Sequence, residues 1–293
     1  MRPISQDELV LLAAAYLHVP GRRLRALVHG EDMPLNEWIA GDPGRKLVHA
    51  RHQAREALQR LAALGAAIVT IEQPAYPAGL RDLEDPPAFL CVRGTLPVAG
   101  LAIVGSRTAP PQALQFARDL AKRCGMPVVS GLARGVDAAA HEGALDAGAS
   151  TIAYVGTGLG TTYPPEHRAL EDAIVTRGGA VVSERLPDEA VTKSSLAHRD
   201  RLQAAHAIAT VLVASEIDGG AMQTMRFAKE LRRPRFVLDV QGAAEYAGNV
   251  QARADGAVPV RPDPAAALET IFATLFKGTP RATAHSTRSR STR

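Results

Sequence analysis

Residues 101–107 read Leu101-Ala102-Ile103-Val104-Gly105-Ser106-Arg107, a helix-forming run follows from Pro111 to Cys124, and residues 127–137 read Pro127-Val128-Val129-Ser130-Gly131-Leu132-Ala133-Arg134-Gly135-Val136-Asp137. Two short runs that are apolar throughout thus flank a segment of helical length, and each ends in glycine beside a hydroxyl. A strand with apolar residues on both faces needs cover on both sides, which is the situation of a parallel sheet layered between helices. The same alternation continues downstream. Strands are expected at Thr151–Val155, Ala180–Ser183, Thr210–Ala214 and Phe236–Val240. Helices are expected at Val136–Ala147, Pro165–Thr176, His198–His206, Ala221–Leu231 and, last, Pro264–Phe276. Right-handed crossovers between such strands build a doubly wound sheet.

Working outward toward the N-terminus, the period changes to a helical one. Leu9, Leu11, Leu12 and Ala15 recur at helical spacing, as do Leu24, Leu27 and Val28 after Pro20-Gly21. From Arg45 to Leu64 apolar positions repeat with arginines on the opposite face, and Gly65 stops the run. Residues 1–65 are therefore expected to form a small helical N-terminal domain. A short strand at Ala66–Ile71 and a Pro-rich connector from Pro74 to Pro87 lead into the alternating region. Residues 66–277 form the expected α/β domain, with a Rossmann-like, doubly wound, mostly parallel sheet. Residues 278–293, rich in Arg, Ser and Thr, are expected to be disordered.

The net charge of +4 is located mainly in that tail, whose four arginines face no acid. Without them the chain is close to neutral, so a generally basic body of the kind many nucleic-acid binders show is absent and phosphate recognition has to be local. No run of 18 or more apolar residues appears, and Asp7 and Glu8 stand where a signal peptide needs a basic and then apolar run. A cytoplasmic location without membrane attachment is expected. Cys91 and Cys124 form neither a disulfide framework nor a metal cluster and read as small buried hydrophobes.

Ligands of open parallel sheets bind beyond the carboxyl ends of the strands. Three such ends have the composition of anion sites. They are Gly105-Ser106-Arg107, Ser130-Gly131-Leu132-Ala133-Arg134-Gly135 and Gly156-Thr157-Gly158-Leu159-Gly160 with Tyr163-Pro164 behind it. Glycine lets the backbone approach a ligand, and the helix start that follows adds free N–H groups and about half a positive charge. The dinucleotide fingerprint is missing from the first loop, and no lysine follows a glycine run as a triphosphate loop requires. NAD and ATP hydrolysis are both argued against, and no cofactor is expected.

Several stretches together are recognisable. They are Tyr76-Pro77, Leu80, Asp85-Pro86-Pro87, Leu90 and Arg93-Gly94; Val104-Gly105-Ser106-Arg107; Ser130-Gly131-Leu132-Ala133-Arg134-Gly135-Val136-Asp137-Ala138-Ala139-Ala140-His141; Gly156-Thr157-Gly158-Leu159 with Tyr163-Pro164; Ser183-Glu184; and Gly248-Asn249 with Asp255-Gly256-Ala257. In this order they resemble the DprA/Smf family over about residues 66–260. The resemblance implies a Rossmann-like domain that binds single-stranded DNA through its backbone, dimerises, and loads RecA in transformation and recombination, without acting as an enzyme. By the same resemblance Gly105, Ser106, Arg107, Ser130, Gly131, Arg134 and Gly135 contact phosphates, with Thr157 and Tyr163 nearby. The family's Arg-Asn-Arg segment corresponds to Arg199-Asp200-Arg201. This chain departs at Asp200, at the loop Asp218-Gly219-Gly220-Ala221-Met222-Gln223-Thr224, and after the last helix, where many members carry a winged-helix domain and here only residues 278–293 follow.

Other readings of the same residues stay open. Arg107 and Arg134 fit phosphate contacts or structural ion pairs with acids such as Glu142 or Glu184. Arg199 and Arg201 are divided the same way, and Tyr163 either caps the core or stacks on a base. Asp137 and His141 lie four apart on one helical face, and a metal would need a third ligand that no spacing supplies. A hydrogen bond between them, or packing at the loop base, is expected instead, so they support the site. Ser130 with His141 and Asp137 lacks the flanking pattern of a nucleophile elbow. The rivals to single-stranded DNA are a sensor of a small nucleotide in the same pocket and a nucleotide phosphoribohydrolase. The second needs a Pro-Gly-Gly-x-Gly-Thr-x-x-Glu segment, whose catalytic Glu spacing residues 218–224 do not provide.

Overall fold

The computed structural model describes residues 5–30, 43–240 and 243–277, so the arginine tail and parts of the N-terminal region lie outside it. Three helices come first, α1 (Gln6–Tyr16), α2 (Gly21–Val28) and α3 (Pro43–Ala63). Two strands follow, β1 (Ala66–Thr70) and β2 (Phe89–Gly94). The alternating region comprises β3 (Gly100–Val104), α4 (Pro111–Arg123), β4 (Val128–Ser130), α5 (Val136–Asp146), β5 (Thr151–Tyr154), α6 (Arg168–Thr176) and β6 (Ala180–Ser183). It continues with α7 (Lys193–His206), β7 (Ala207–Leu212), α8 (Ala221–Glu230), β8 (Arg235–Leu238), α9 (Ala247–Ala254), β9 (Val258–Val260) and α10 (Pro264–Leu275). No helix among the described residues is long and apolar enough to cross a membrane.

The nine strands among the described residues join one sheet in the order β1-β2-β6-β5-β4-β3-β7-β8-β9. From β6 to β9 every pairing is parallel, as the unbroken apolar runs demand. β2 runs antiparallel to both β6 and β1, and β1 forms that edge of the sheet. The chain steps outward from β3 through β4, β5 and β6, then crosses back along α7 to β7 on the other side of β3. The strand order therefore reverses between β3 and β7, and the loops leaving those two strands diverge there. This is where a doubly wound sheet opens a crevice.

Core packing follows the two faces. Leu101, Ile103 and Val211 pack with Phe116 and Leu120 of α4 and Ile271 of α10 on one face, while Ala102, Val129 and Ile152 pack with Leu202 of α7 on the other. The N-terminal helices share a cluster with β1, α5 and α6 through Leu12, Ala54, Leu61, Ile68, Leu145 and Ile174. Three elements carry weak sequence signals and depart from the expected plan. β2 follows a proline-rich stretch, β9 has Pro259 at its centre, and α9 contains Gly248 and Asn249. Proline is tolerated in β9 because it is the sheet's edge strand.

Candidate nucleic-acid interface

Three loops and α7 enclose a cavity of about 630 Å³ at the switch point. The loop after β3 contributes Gly105, Ser106 and Arg107; the loop after β4 contributes Ala133 and Asp137; the loop after β7 contributes Glu216, Asp218, Gly219 and Gly220. α7 lays Lys193, Arg199, Asp200 and Gln203 across the top, and α8 adds Gln223, Thr224 and Arg226. A shallow extension runs toward the loop after β5, lined by Arg107, Gly131, Arg134, Tyr163, Pro164 and Arg199. Most residues named from the sequence thus converge on one rim.

The loop after β4 is built from inside. Asp137, buried in the first turn of α5, accepts the Gly131 N–H at 3.2 Å and the Ala133 N–H at 3.4 Å. His141, one turn further on, accepts the Leu132 N–H at Nε2 (3.3 Å) and meets the Thr151 hydroxyl at Nδ1 (2.7 Å). Because Thr151 donates its own proton to Val128 O at 2.8 Å, it must accept from Nδ1–H. The imidazole is held as one neutral tautomer, and burial with the nearby Arg199 charge pushes its pKa down to about 3. Of the two arrangements expected, the Asp137–His141 hydrogen bond does not form and His141 packs at the base of the loop. Each residue satisfies backbone amides of the loop instead.

Ser130 is fully buried and donates to Ile103 O at 2.7 Å, tying β4 to β3. Its hydroxyl therefore faces the sheet and not the crevice, and it makes no contact with His141 that a hydrolase would need. Thr157 is buried as well, donating to Thr161 O at 3.0 Å, while Ser183 donates to Thr157 O. The glycine loop after β5 is thus stitched to β6 by hydroxyls. Tyr163 remains 38% exposed beside Pro164. Gly135 has φ 75, and a Cβ there would press on the Ser106 and Arg107 backbone, so glycine lets the two loops touch.

The arginines divide sharply. Arg107 is exposed and has no ion-pair partner among the described residues. Arg134 is exposed too but pairs with Glu166, not with Glu142 or Glu184. Glu142 pairs with Arg118 at 2.8 Å and Glu184 with Arg201. Arg199 is buried, lies across Gly131, donates to Tyr154 O at 2.7 Å and sits 3.0 Å from Asp200. Arg201 is buried between Glu184 and His198. Arg199 and Arg201 therefore carry the architecture, and Arg107 and Arg134 carry the exposed charge. Lys193 and Arg226, also exposed at the crevice, are two cations that no sequence motif marked.

Asp200 is the unusual charge. Burial raises its pKa to about 7, and the Asp137 charge adds to the rise while Arg199 and Arg107 oppose it. Gln203 donates to its Oδ1 at 3.2 Å. Across the crevice, Asn249 explains the Gly248-Asn249 pair seen in the sequence. Its Oδ1 accepts the Ser215 N–H at 3.0 Å, and its Nδ2 donates to Val213 O and Leu238 O at 2.9 and 3.0 Å. A Cβ at Gly248 would lie 2.6 Å from Glu216 O. Together they pin the loop that delivers the N-terminus of α8.

The doubly wound sheet with a crevice at its switch point makes this a Rossmann-like α/β protein, and that crevice is lined by cations (Arg107, Lys193, Arg199, Arg226) and carboxyls (Asp137, Asp200, Glu216, Asp218) alike. More specifically, the chain belongs to the DNA recombination-mediator protein A family, whose model matches residues 67–270. It is 32% identical to a Smf protein of Synechocystis over 189 residues, 60% of this chain and 47% of that protein. It is 32% identical to the DNA processing protein DprA of Streptococcus pneumoniae over 174 residues, 58% of this chain and 61% of that one. The chain thus spans about half to three fifths of these two curated relatives. The crystal structure of Streptococcus pneumoniae DprA shares the fold with a TM-score of 0.70 at 22% identity, over 92% of this chain and 93% of that one. The DprA of Helicobacter pylori, described for its single-stranded DNA binding mode, gives a TM-score of 0.61 at 27% identity, over 72% and 96% of the two chains.

Proposed function

We propose that this protein is a non-catalytic single-stranded DNA binder that holds the strand along the carboxyl rim of its sheet and, as a homodimer, passes it to a RecA-type recombinase in recombination or DNA uptake. Membership of a recombination-mediator family supports the reading, and so does the single-stranded DNA binding mode described for the Helicobacter pylori relative. The observation that carries it is Arg107, an exposed guanidinium without a carboxylate partner among the described residues, at the point where the strand order reverses. It stands with Arg134 and the exposed face of Tyr163 along one groove. Phosphates position the strand and the aromatic ring receives a base, so sequence preference is weak.

Fluorescence anisotropy on labelled oligo-dT and on duplex, each at several salt concentrations, tests this. The wild-type chain should prefer the single strand, and Arg107→Ala should make the log–log salt slope shallower by about 0.7, the loss of one phosphate contact. An unchanged slope and affinity in that variant would remove Arg107 from the interface. A second reading is favoured by the cavity itself, since about 630 Å³ is within the range that holds a small molecule. Calorimetry with mononucleotides against oligo-dT separates the two: heat with nucleotide alone would make the crevice a small-ligand site.

A further inference from the structure

Helix α3 concentrates charge in a body that is otherwise balanced. Its 21 residues carry five Lys and Arg against Glu56 as its one acid. Ala50, Ala54, Ala57, Leu58 and Leu61 are buried against α1 and β1, which fixes the orientation of the helix. The opposite face is open to solvent, with Val48 70% exposed and the His52 and Arg60 side chains at 70% and 56%. Glu56 pairs with Arg60 at 3.9 Å and lies 3.7 Å from His52, so it offsets one of the five cations. Arg51 and Arg55 are exposed and have no ion-pair partner among the described residues. A solvated helix face of this kind usually alternates charges of both signs, as surface salt-bridge patterns do. Here the sign is nearly uniform, which is complementary to a polyanion.

Topology places the N-terminal half of α3 at the same rim of the sheet as the crevice. β1 is antiparallel to β2 and β2 to β6, so β1 runs with the parallel strands and its carboxyl end lies at the crevice rim. α3 enters β1 through the short turn at 64–65 and so runs the other way, with its N-terminal half toward that rim. Tyr16, at the end of α1, donates to Asp188 in the loop after β6 at 2.7 Å and holds the N-terminal helices there. Between β3 and β1 lie five inter-strand steps, about 24 Å at roughly 4.8 Å each. That is about seven nucleotides at a rise of about 3.4 Å.

We propose that the exposed face of α3, centred on Arg51 and Arg55, is a second phosphate contact reached by the part of a single strand that extends beyond the crevice. This rests on the DNA-binding reading of the crevice. The test uses the full chain, the double variant Arg51→Gln/Arg55→Gln, and Arg107→Ala, each titrated with dT6 and dT20 by fluorescence anisotropy. The double variant should keep wild-type affinity for dT6, which is too short to span both sites. On dT20 its salt slope should fall by about 1.4 and its affinity by about 25-fold at 0.1 M salt, the loss of two phosphate contacts. Equal losses on both lengths, or none on dT20, overturn the proposal. If Arg107→Ala weakens both lengths while the double variant is silent, the crevice reading stands and the α3 contact alone fails. Should the wild-type chain bind neither oligonucleotide, the crevice reading fails as well. Wild-type dT20 affinity in the double variant, with lost binding to anionic phosphatidylserine vesicles, would give the face to a membrane instead.

Discussion

Asp200→Asn removes one titrating charge from the crevice while keeping the shape of the side chain. The carboxyl is 8% exposed, lies 3.0 Å from the Arg199 guanidinium and accepts from Gln203. With a pKa of about 7 it is mostly neutral at pH 6 and mostly ionised at pH 8. An ionised carboxylate opposes a phosphate arriving at Arg107 by about 3 kcal/mol, taking ~6 Å and an effective dielectric of ~20. That exceeds what proton linkage can express over this range, so linkage sets the limit. Affinity can fall at most tenfold per pH unit above the pKa, giving about tenfold between pH 6 and pH 8. Anisotropy with dT20 at constant ionic strength should show that decline for the wild-type chain and a flat profile for Asp200→Asn, apart from a histidine contribution common to both. Stability supplies an independent reading. The folded pKa of about 7 lies above the ordinary 3.8, so the group's favourable contribution is complete below pH 3.8 and is lost as pH rises to about 7. At about 1.4 kcal/mol per pH unit the loss is bounded near ~4 kcal/mol. Asp200→Asn should therefore melt higher than wild type at pH 8 and lose that advantage toward pH 4. A variant whose binding retains the wild-type pH dependence would refute the role assigned to this carboxyl.

Three further substitutions separate scaffold from interface. Ser130→Ala loses a buried hydrogen bond to Ile103 O; thermal melts should register about 1–2 kcal/mol, while dT20 affinity stays at the wild-type value. Lost affinity with an unchanged melt would restore Ser130 as a ligand contact. Gly131→Ala sets a methyl group against the buried Arg199 guanidinium and forces it off Tyr154 O. It should destabilise by about 1–3 kcal/mol and weaken DNA binding through the neighbouring loop, and a neutral melt would contradict the packing described. Asn249→Ala strands the Ser215 N–H and the Val213 carbonyl at a 2% exposed position and leaves Leu238 O to the Val240 N–H alone. A loss of about 3 kcal/mol is expected from denaturant titration, with faster amide exchange at Ser215 as the local signature.

The part of the fold that sequence could reveal is the part whose signal is local. β3, β4, β5 and β6 appear as apolar runs because both faces of each strand are covered, and the turns after β3, β4 and β5 carry glycine. β2 carries no such frame, since its partners β1 and β6 are far away in the chain and a proline-rich stretch precedes it. The start of α7 at Lys193, five residues before the expected His198, depends on a capping box between Thr192 and Ser195 that no apolar period announces. At the site, glycine and hydroxyl composition marked loops that the fold brings to one rim but could not tell which way a side chain points. Arg107 and Arg199 look alike in sequence. One is exposed with no ion pair among the described residues, although Asp200 lines the same crevice, whereas the other is enclosed by Tyr154 O and Asp200, from an element 45 residues away and from its own helix. Lys193 and Arg226 reach the crevice only because α7 crosses back over the switch point and α8 starts beside it.

How this rim deals with a ligand follows from what already fills it. Glycine-rich turns after parallel strands commonly offer backbone amides to phosphate, but here Gly131 and Ala133 give theirs to Asp137, and Leu132 gives its own to His141. An anion that displaced Asp137 would leave a buried carboxylate without donors beside Arg199, at a cost of several kcal/mol that one phosphate contact does not recover. The turn is therefore a rigid wall and not a cradle. What remains for a ligand is guanidinium and ammonium charge on exposed stems, the N-terminus of α8, and one aromatic face. On the proposed reading such a surface holds phosphates by electrostatics from exposed stems, so binding should weaken with salt and show little preference among bases.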